Sequence, residues 1–502
     1  MAESSIGATP NNARTSAGRA VRRKSSILTF VRRMPGTVPL HLLAGDNENI
    51  NHESSLWLPW WFLWAAAIAS GYVSELHRQK RFTAKPILYH QQDGSELVKR
   101  MPSLHREVRP TFLFGTWSVL NSLTAYFKIG PRRKNSYSST SVDSFREIMI
   151  MPQDGERIAI DWELPQNSSL LTRDHILSGP IRTTVVIILH GINNDASFGY
   201  IRSAMRSCTD RGWAAAGVNM RGCGGLDMAT PRGYNGAYTG DIRCVVNKIA
   251  ARIAPNKHIF LVGNSLGANL VVKYLGEEGL SRTLPKCVAG GISLGNPLSI
   301  NSSNLKFPWN IILALGVKKT LLFHRKSILN SKGLARDSFY RALRASTIGE
   351  TDHILAPTFL RNESMYPFET SIGYSSGEEY WKDASSYLYV KHVSVPLLKI
   401  TALDDFLTSH NVLSKMAECL INPKVIIVKT KSGGHLGWND GSGLMSVLFD
   451  KCWADKVMVE FIDAVLQLKN AEVDDVTLKS DRGEPNQGEP QGGSTQILQS
   501  KL

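Results

Sequence analysis

Between residues 258 and 278 the chain passes without a break from an apolar, strand-type run through Gly263-Asn264-Ser265-Leu266-Gly267 into a helix-forming run. This junction is highly constraining, because it requires a buried sheet strand whose end feeds directly into a helix packed on the same sheet. Small residues flanking Ser265 let the backbone turn sharply and lift the hydroxyl clear of the sheet. A second stretch, Gly291-Ile292-Ser293-Leu294-Gly295, has the same spacing. It runs into Asn296-Pro297, and the residue before a proline is driven away from helical angles, so no helix starts there. Residues 288–294 therefore read as an ordinary core strand, and Ser265 is the candidate nucleophile.

The strand and helix rhythm continues on both sides of this corner. Runs at 184–189, 214–218, 259–262, 288–294, 397–401 and 425–428 read as strands, and 197–210, 239–253, 267–278, 409–420 and 453–468 as helices. Such alternation predicts an α/β fold with a mostly parallel, doubly wound sheet. Upstream, 147–151 and 157–162 flank Asp154-Gly155, a pair suited to a hairpin turn. Residues 299–390 interrupt the rhythm between two core strands with helical and aromatic segments. They are too long for a crossover loop and read as a helical cap inserted before the strand at 397–401.

Length and composition allow one large domain, over 86–468, with appendages: 502 residues, 42% apolar and 20% charged. The net charge of +15 comes from residues scattered along the chain or gathered near its beginning, with no nucleic-acid-binding motif. No nucleic-acid partner is expected, whereas a basic face toward anionic lipid is. The six cysteines, at 208, 223, 244, 287, 419 and 452, show no metal-ligand spacing. Free thiols in a reducing compartment are expected, with neither metal nor other cofactor.

Residues 1–55 hold no acid between Glu3 and Asp46 while Arg14, Arg19, Arg22, Arg23, Lys24, Arg32 and Arg33 accumulate, which suits a disordered tail or a transit peptide. Residues 56–73 carry no charge, and as a helix they would reach roughly 27 Å. With Trp57, Trp60, Trp61 and Trp64 crowding one end, they are expected to form a transmembrane anchor, an interfacial helix being the alternative. Arg78, Lys80, Arg81 and Lys85 after this segment, against Asp46, Glu48 and Glu53 before it, would keep the large domain cytoplasmic. Residues 471–502 read as a disordered polar tail. Nothing in the sequence bears on oligomeric state.

An activated serine needs a base, a carboxylate to orient the base, and donors for the oxyanion formed on a carbonyl substrate. The strand at 397–401 ends in Leu403-Asp404-Asp405-Phe406, and the last strand is followed by Gly433-Gly434-His435-Leu436-Gly437. Ser265, the Asp404-Asp405 pair and His435 stand in a productive chain order at strand ends. Leu266 supplies the amide after the nucleophile, and Ile192, in the His190-Gly191-Ile192-Asn193 loop, is the second candidate oxyanion donor. His190, Asn219 and Arg221 read as structural.

Taken together, His190-Gly191, Asn219-Met220-Arg221-Gly222-Cys223-Gly224-Gly225, Thr230-Pro231-Arg232, Tyr238-Thr239-Gly240-Asp241, Gly263 to Asn269, Asp404-Asp405 and Gly433 to Gly437 resemble the AB hydrolase 4 family. That family, of the α/β-hydrolase fold, includes YheT-like esterases and eukaryotic abhydrolase-domain lipases and esterases. The resemblance covers roughly residues 88–468 and extends to Tyr374, Glu379, Tyr380, Ser385 and Ser386 before the acid strand. It implies a triad of Ser265, Asp405 and His435, with Asp404 as the alternative acid. The chain departs from the family's pattern at Gly240 and Phe406, outside that triad. The implied activity is hydrolysis of carboxylic esters through an acyl-enzyme on Ser265, with lipid acyl esters, phospholipids included, or small esters as substrates and a membrane as partner. Acyl transfer by the same triad, or an idle scaffold, are the alternatives.

Overall fold

The computed structural model describes residues 37–39, 57–128, 144–165, 171–330, 334–360, 374–408, 415–441 and 443–481. Most of the expected tail at 1–55, the first six residues of the helix expected at 409–420, and 482–502 lie outside the described residues. The chain divides into one compact unit up to Ser74 and another from Glu75 onward.

In the first unit β1 (Thr37–Pro39) pairs antiparallel with β2 (Trp57–Pro59), and helix α1 (Trp60–Phe82) begins. This corrects the expected membrane span. Among the described residues no helix is long and apolar enough to cross a membrane. The reason lies in the last third of α1, where Glu75, Arg78, Lys80 and Arg81 follow the apolar stretch. Glu75 is buried and accepts hydrogen bonds from Leu113 N and Trp117 Nε1, both at 3.1 Å, and from the Thr116 hydroxyl. That end of α1 is therefore tied to protein.

The second unit is built on nine strands: β3 (Ile87–Tyr89), β4 (Ser144–Ile150), β5 (Arg157–Glu163), β6 (Val185–Leu189), β7 (Ala214–Asn219), β8 (Ile259–Asn264), β9 (Val288–Leu294), β10 (Leu397–Ala402) and β11 (Val425–Thr430). Their spatial order is β3-β11-β10-β9-β8-β6-β7-β5-β4. Pairs from β11 through β7 are parallel, and β3, β5 and β4 add antiparallel partners at the two edges. The β4–β5 hairpin turns at Asp154-Gly155, where Gly155 takes φ 73°. Strand alternation supplies two cores, one on each face. Along β6, Val185, Ile187 and Leu189 pack into one, and Val186 and Ile188 into the other.

The helices ahead of the cap are α2 (Gln92–Lys99), α3 (Ser118–Phe127), α4 (Arg173–Ser178), α5 (Gly199–Thr209), α6 (Gly240–Ala250) and α7 (Leu266–Ser281). Between β9 and β10 follow α8 (Trp309–Phe323), α9 (Arg325–Asn330), α10 (Leu334–Arg344), α11 (Ile348–Leu355) and α12 (Gly377–Ala384). The cap so formed has its own apolar cluster, with Phe339, Leu355, Phe359 and Trp381 at its heart. The last helix, Trp453–Asp481, runs eleven residues into the segment expected to be a tail. Polarity alone does not end a helix, and the first strong breakers after residue 471 are Gly483 and Pro485.

Candidate active site

Ser265 stands where β8 becomes α7, with φ 54° and ψ −117°, a strained conformation for a residue with a side chain. The flanking glycines are required by contact. A Cβ on Gly263 would lie 2.3 Å from Gly267 O, and one on Gly267 would lie 2.6 Å from His190 O. Ser293, by contrast, is fully buried within β9, where its hydroxyl meets Asn296 Nδ2 at 3.1 Å.

The loops after β10 and β11 bring the two distant groups to the serine. His435 Nε2 lies 2.9 Å from Ser265 Oγ, and His435 Nδ1 lies 2.9 Å from Asp405 Oδ2. Asp405 is fully buried, and its carboxylate also accepts from Leu407 N at 2.9 Å, Thr408 N at 3.1 Å and Thr408 Oγ1 at 2.6 Å. Asp404 turns elsewhere, accepting from Gly434 N at 2.9 Å. Of the adjacent pair, only Asp405 reaches the imidazole. Phe406, one of the departures from the family pattern, stacks on Trp309 at the start of α8 with ring centroids 4.1 Å apart, joining the acid loop to the cap.

Ile192 and Leu266 line the same cavity as Ser265 and His435. Leu266 is the first residue of α7, so its N–H has no intrahelical acceptor. Among the described residues Ile192 N–H has none either. A Cβ on Gly191 would come within 3.1 Å of Ser265 Cβ, so a side chain there would press on the nucleophile.

His190 serves the loop's shape: its Nε2 accepts from Met220 N at 3.2 Å and its Nδ1 lies 2.7 Å from Gly191 O. Burial pushes its pKa down, which favours the neutral ring this pattern needs. Arg221 is held by Asp241 at 2.6 Å through two nitrogens and by Asp154 at 2.8 Å, leaving it no free fork for a head group. Asn219 bonds Ala196 N and Asp161, both at 2.9 Å.

Several supporting residues escaped the sequence reading. From α3, Ser122 Oγ accepts from His435 N at 2.7 Å and Ser118 Oγ donates to Asp404 O at 2.5 Å, so one short helix steadies both triad loops. The Tyr200 hydroxyl accepts from Gly191 N and Asn194 Nδ2, both at 3.0 Å. Asn193, at φ 61°, donates to Leu313 O in α8 at 3.1 Å and ties the Ile192 loop to the cap. The available signal was the polar spacing of Ser118, Asn121 and Ser122 along one face of an otherwise apolar helix. The segment before β10, to which the motif resemblance extends, joins cap to core: Ser386 N donates to Asn269 Oδ1 at 3.1 Å, and Gly236 N to Tyr380 Oη at 3.0 Å.

A buried serine–imidazole–carboxylate relay beside two unpartnered amides can perform nucleophilic acyl transfer. Comparison with known proteins agrees. Residues 184–438, just over half the chain, match the family described as alpha/beta hydrolase fold. Embryogenesis-associated protein EMB8 of Picea glauca is 28% identical over 381 residues, covering 74% of this chain and 75% of that protein. Monoacylglycerol lipase ABHD2 of Danio rerio is 29% identical over 383 residues, covering 74% and 83%. A monoacylglycerol lipase of Saccharomyces cerevisiae is 30% identical over 272 residues, covering 52% and 56%. The chain belongs to the α/β-hydrolase family, among its esterases and lipases.

Proposed function

We propose that this chain cleaves lipid acyl esters at a membrane surface through an acyl-enzyme on Ser265. The observation that carries the reading is the Ser265–His435–Asp405 hydrogen-bond relay at the base of a cavity. In this mechanism Ser265 Oγ attacks the acyl carbon as His435 Nε2 takes its proton. Asp405 holds Nδ1–H and balances the imidazolium, and the Ile192 and Leu266 amides receive the oxyanion. The imidazolium then protonates the departing alcohol, and a water activated by the same imidazole releases the acid. A fluorophosphonate probe tests the serine. Wild type should label, Ser293→Ala should label, and Ser265→Ala should not; labelling that survives in Ser265→Ala would refute the assignment, and an inert wild type would favour an idle scaffold.

Lipid as substrate is supported by the two relatives named monoacylglycerol lipases and by the aliphatic cavity wall, with Leu305, Leu313, Ile348 and Leu407. Two surfaces support attachment by interfacial insertion. In the first unit Trp60, Trp61, Trp64 and Ile68 of α1 are all more than half exposed. In the cap, Ile311, Leu315 and Leu322 are exposed along α8, and residues 301–336 hold no acid while Lys306, Lys318, Lys319, Arg325 and Lys326 accumulate. Flotation with anionic and neutral phospholipid vesicles tests this: wild type should rise with the anionic vesicles and the triple variant Trp60→Ser, Trp61→Ser, Trp64→Ser less so. Wild type that stays at the bottom would sink the idea. With no membrane-spanning helix among the described residues, flanking charges do not set orientation; the six free cysteines favour the cytoplasmic face over an organelle lumen, which a fluorescent fusion of the full chain would decide.

A further inference from the structure

Above the serine two cavities meet. One, of about 120 Å³, contains Ser265 and His435, and the other, of about 340 Å³, runs under α8. Ile192, Asn194, Leu266, Asp352 and Tyr380 line both, so the two unpartnered amides sit at the junction. An ester bound with its carbonyl on those amides has room for its acyl and alcohol parts on separate sides.

Asp352, from α11 of the cap, is the one carboxylate among the residues lining the serine cavity. It is 9% exposed. Its Oδ2 accepts from Ser302 Oγ at 2.5 Å and from Trp381 Nε1 at 2.8 Å, which fixes the orientation of the group. Among the described residues nothing donates to Oδ1. Burial pushes the carboxyl up to about 6, against the donors Ser302 and Trp381 and the neighbouring His353, so the carboxylate still dominates at neutral pH. An ionised oxygen in an apolar cavity is unfavourable unless something donates to it, and Asp352 lines both cavities, where an occupant can supply that donor.

We propose that Asp352 is a specificity residue whose Oδ1 accepts a hydrogen bond from a hydroxyl on the alcohol part of the substrate, selecting acyl esters of a polyhydric alcohol. This rests on Ser265 as nucleophile. It disfavours two other classes. An ester without a donor leaves the carboxylate unpaired, and a phosphate placed nearby brings a second negative charge into the same low-dielectric space. A site built to bond a hydroxyl rejects the analogue lacking it far more strongly than an apolar pocket rejects a change of size.

The test uses the full-length protein and two esters of one fatty acid, the glycerol monoester and the methyl ester, with kcat/KM measured for each. Wild type should prefer the glycerol ester by on the order of tenfold or more. Asp352→Asn, which keeps the shape but turns an amide donor toward the cavity, should lower that ratio by on the order of tenfold, mainly through KM for the glycerol ester. Thermal unfolding establishes whether this variant folds. Trp381→Phe is the second variant: it keeps the charge, removes one donor to Oδ2, and should lower the ratio by about threefold. A wild type without preference, or a ratio untouched in both variants, overturns the proposal. Fluorophosphonate labelling of wild type separately tests the serine, so failure of that reading is distinguishable from failure of this one.

Discussion

Replacing Asp404 by asparagine is expected to stabilise the protein at neutral pH while leaving ester hydrolysis intact, the opposite of the same change one residue later. Asp404 Oδ1 has one donor, Gly434 N at 2.9 Å, and Oδ2 is buried with no partner. Burial, with the negative charge of Asp405 next to it, raises the carboxyl from 3.8 to about 6. The fold thus binds this proton more tightly than the unfolded chain does. The stabilisation it brings is complete below pH 3.8 and is lost as pH rises through about 6. Between those limits the change corresponds to an upper bound of ~3 kcal/mol. Asparagine keeps the Oδ1 acceptor and does not ionise, but puts an amide nitrogen with two N–H donors where Oδ2 has no partner, so a net gain of ~1–2 kcal/mol at pH 8 remains. The melting temperature of Asp404→Asn should therefore exceed that of wild type by ~2–5 °C at pH 8 and converge with it toward pH 4. Asp352 titrates in the same window in both proteins and cancels from the difference. Scanning fluorimetry from pH 4 to 8, with kcat/KM on a soluble ester, gives both readouts. A lower melting temperature at pH 8, or a tenfold loss of kcat/KM, would refute the assignment of Asp404 to the fold and Asp405 to the imidazole.

Lys399 offers the mirror image: it is buried in β10, its Nζ has no hydrogen-bond partner, and burial pushes its pKa down to about 8. Its contribution to stability is present above pH 10.5 and lost as pH falls through about 8, so Lys399→Met should raise stability at pH 7 by ~1–3 kcal/mol, an advantage that shrinks by pH 10; parallel melting curves at the two pH values would count against it. Gly267→Ala would press a Cβ against the backbone oxygens of His190 and Leu189, at 2.6 and 2.8 Å. The expected result is a loss of ~2 kcal/mol or more with slower fluorophosphonate labelling, and a variant that melts and labels like wild type would show that the corner at Ser265 tolerates displacement.

What could be read from the sequence follows from how local each signal is. The strands β6 to β11 are buried along their whole length, so each left a mainly apolar run, interrupted in β10 by Lys399 and in β9 by Ser293. Three-residue β3 is too short to show any period and went unseen. The triad was legible because its members follow strands in a fixed chain order, and the glycines around Ser265 record a contact between residues four apart. Asp404 against Asp405 stayed open for the opposite reason: both occupy the same loop, and only the placement of His435 and of the α3 hydroxyls separates them. The uncharged run at 56–73 reads as a span because hydropathy counts side chains without their surroundings, whereas the burial of Glu75 depends on Thr116 and Trp117 some forty residues on. The cap is the extreme case. Asp352 owes its orientation to Ser302 and Trp381, fifty and twenty-nine residues away on different elements, so no window of sequence contains the set. Chemistry carried by a strand end leaves a local pattern, while selectivity carried by a cap is assembled from distant positions; the substrate, unlike the nucleophile, has to be sought in the folded cavity.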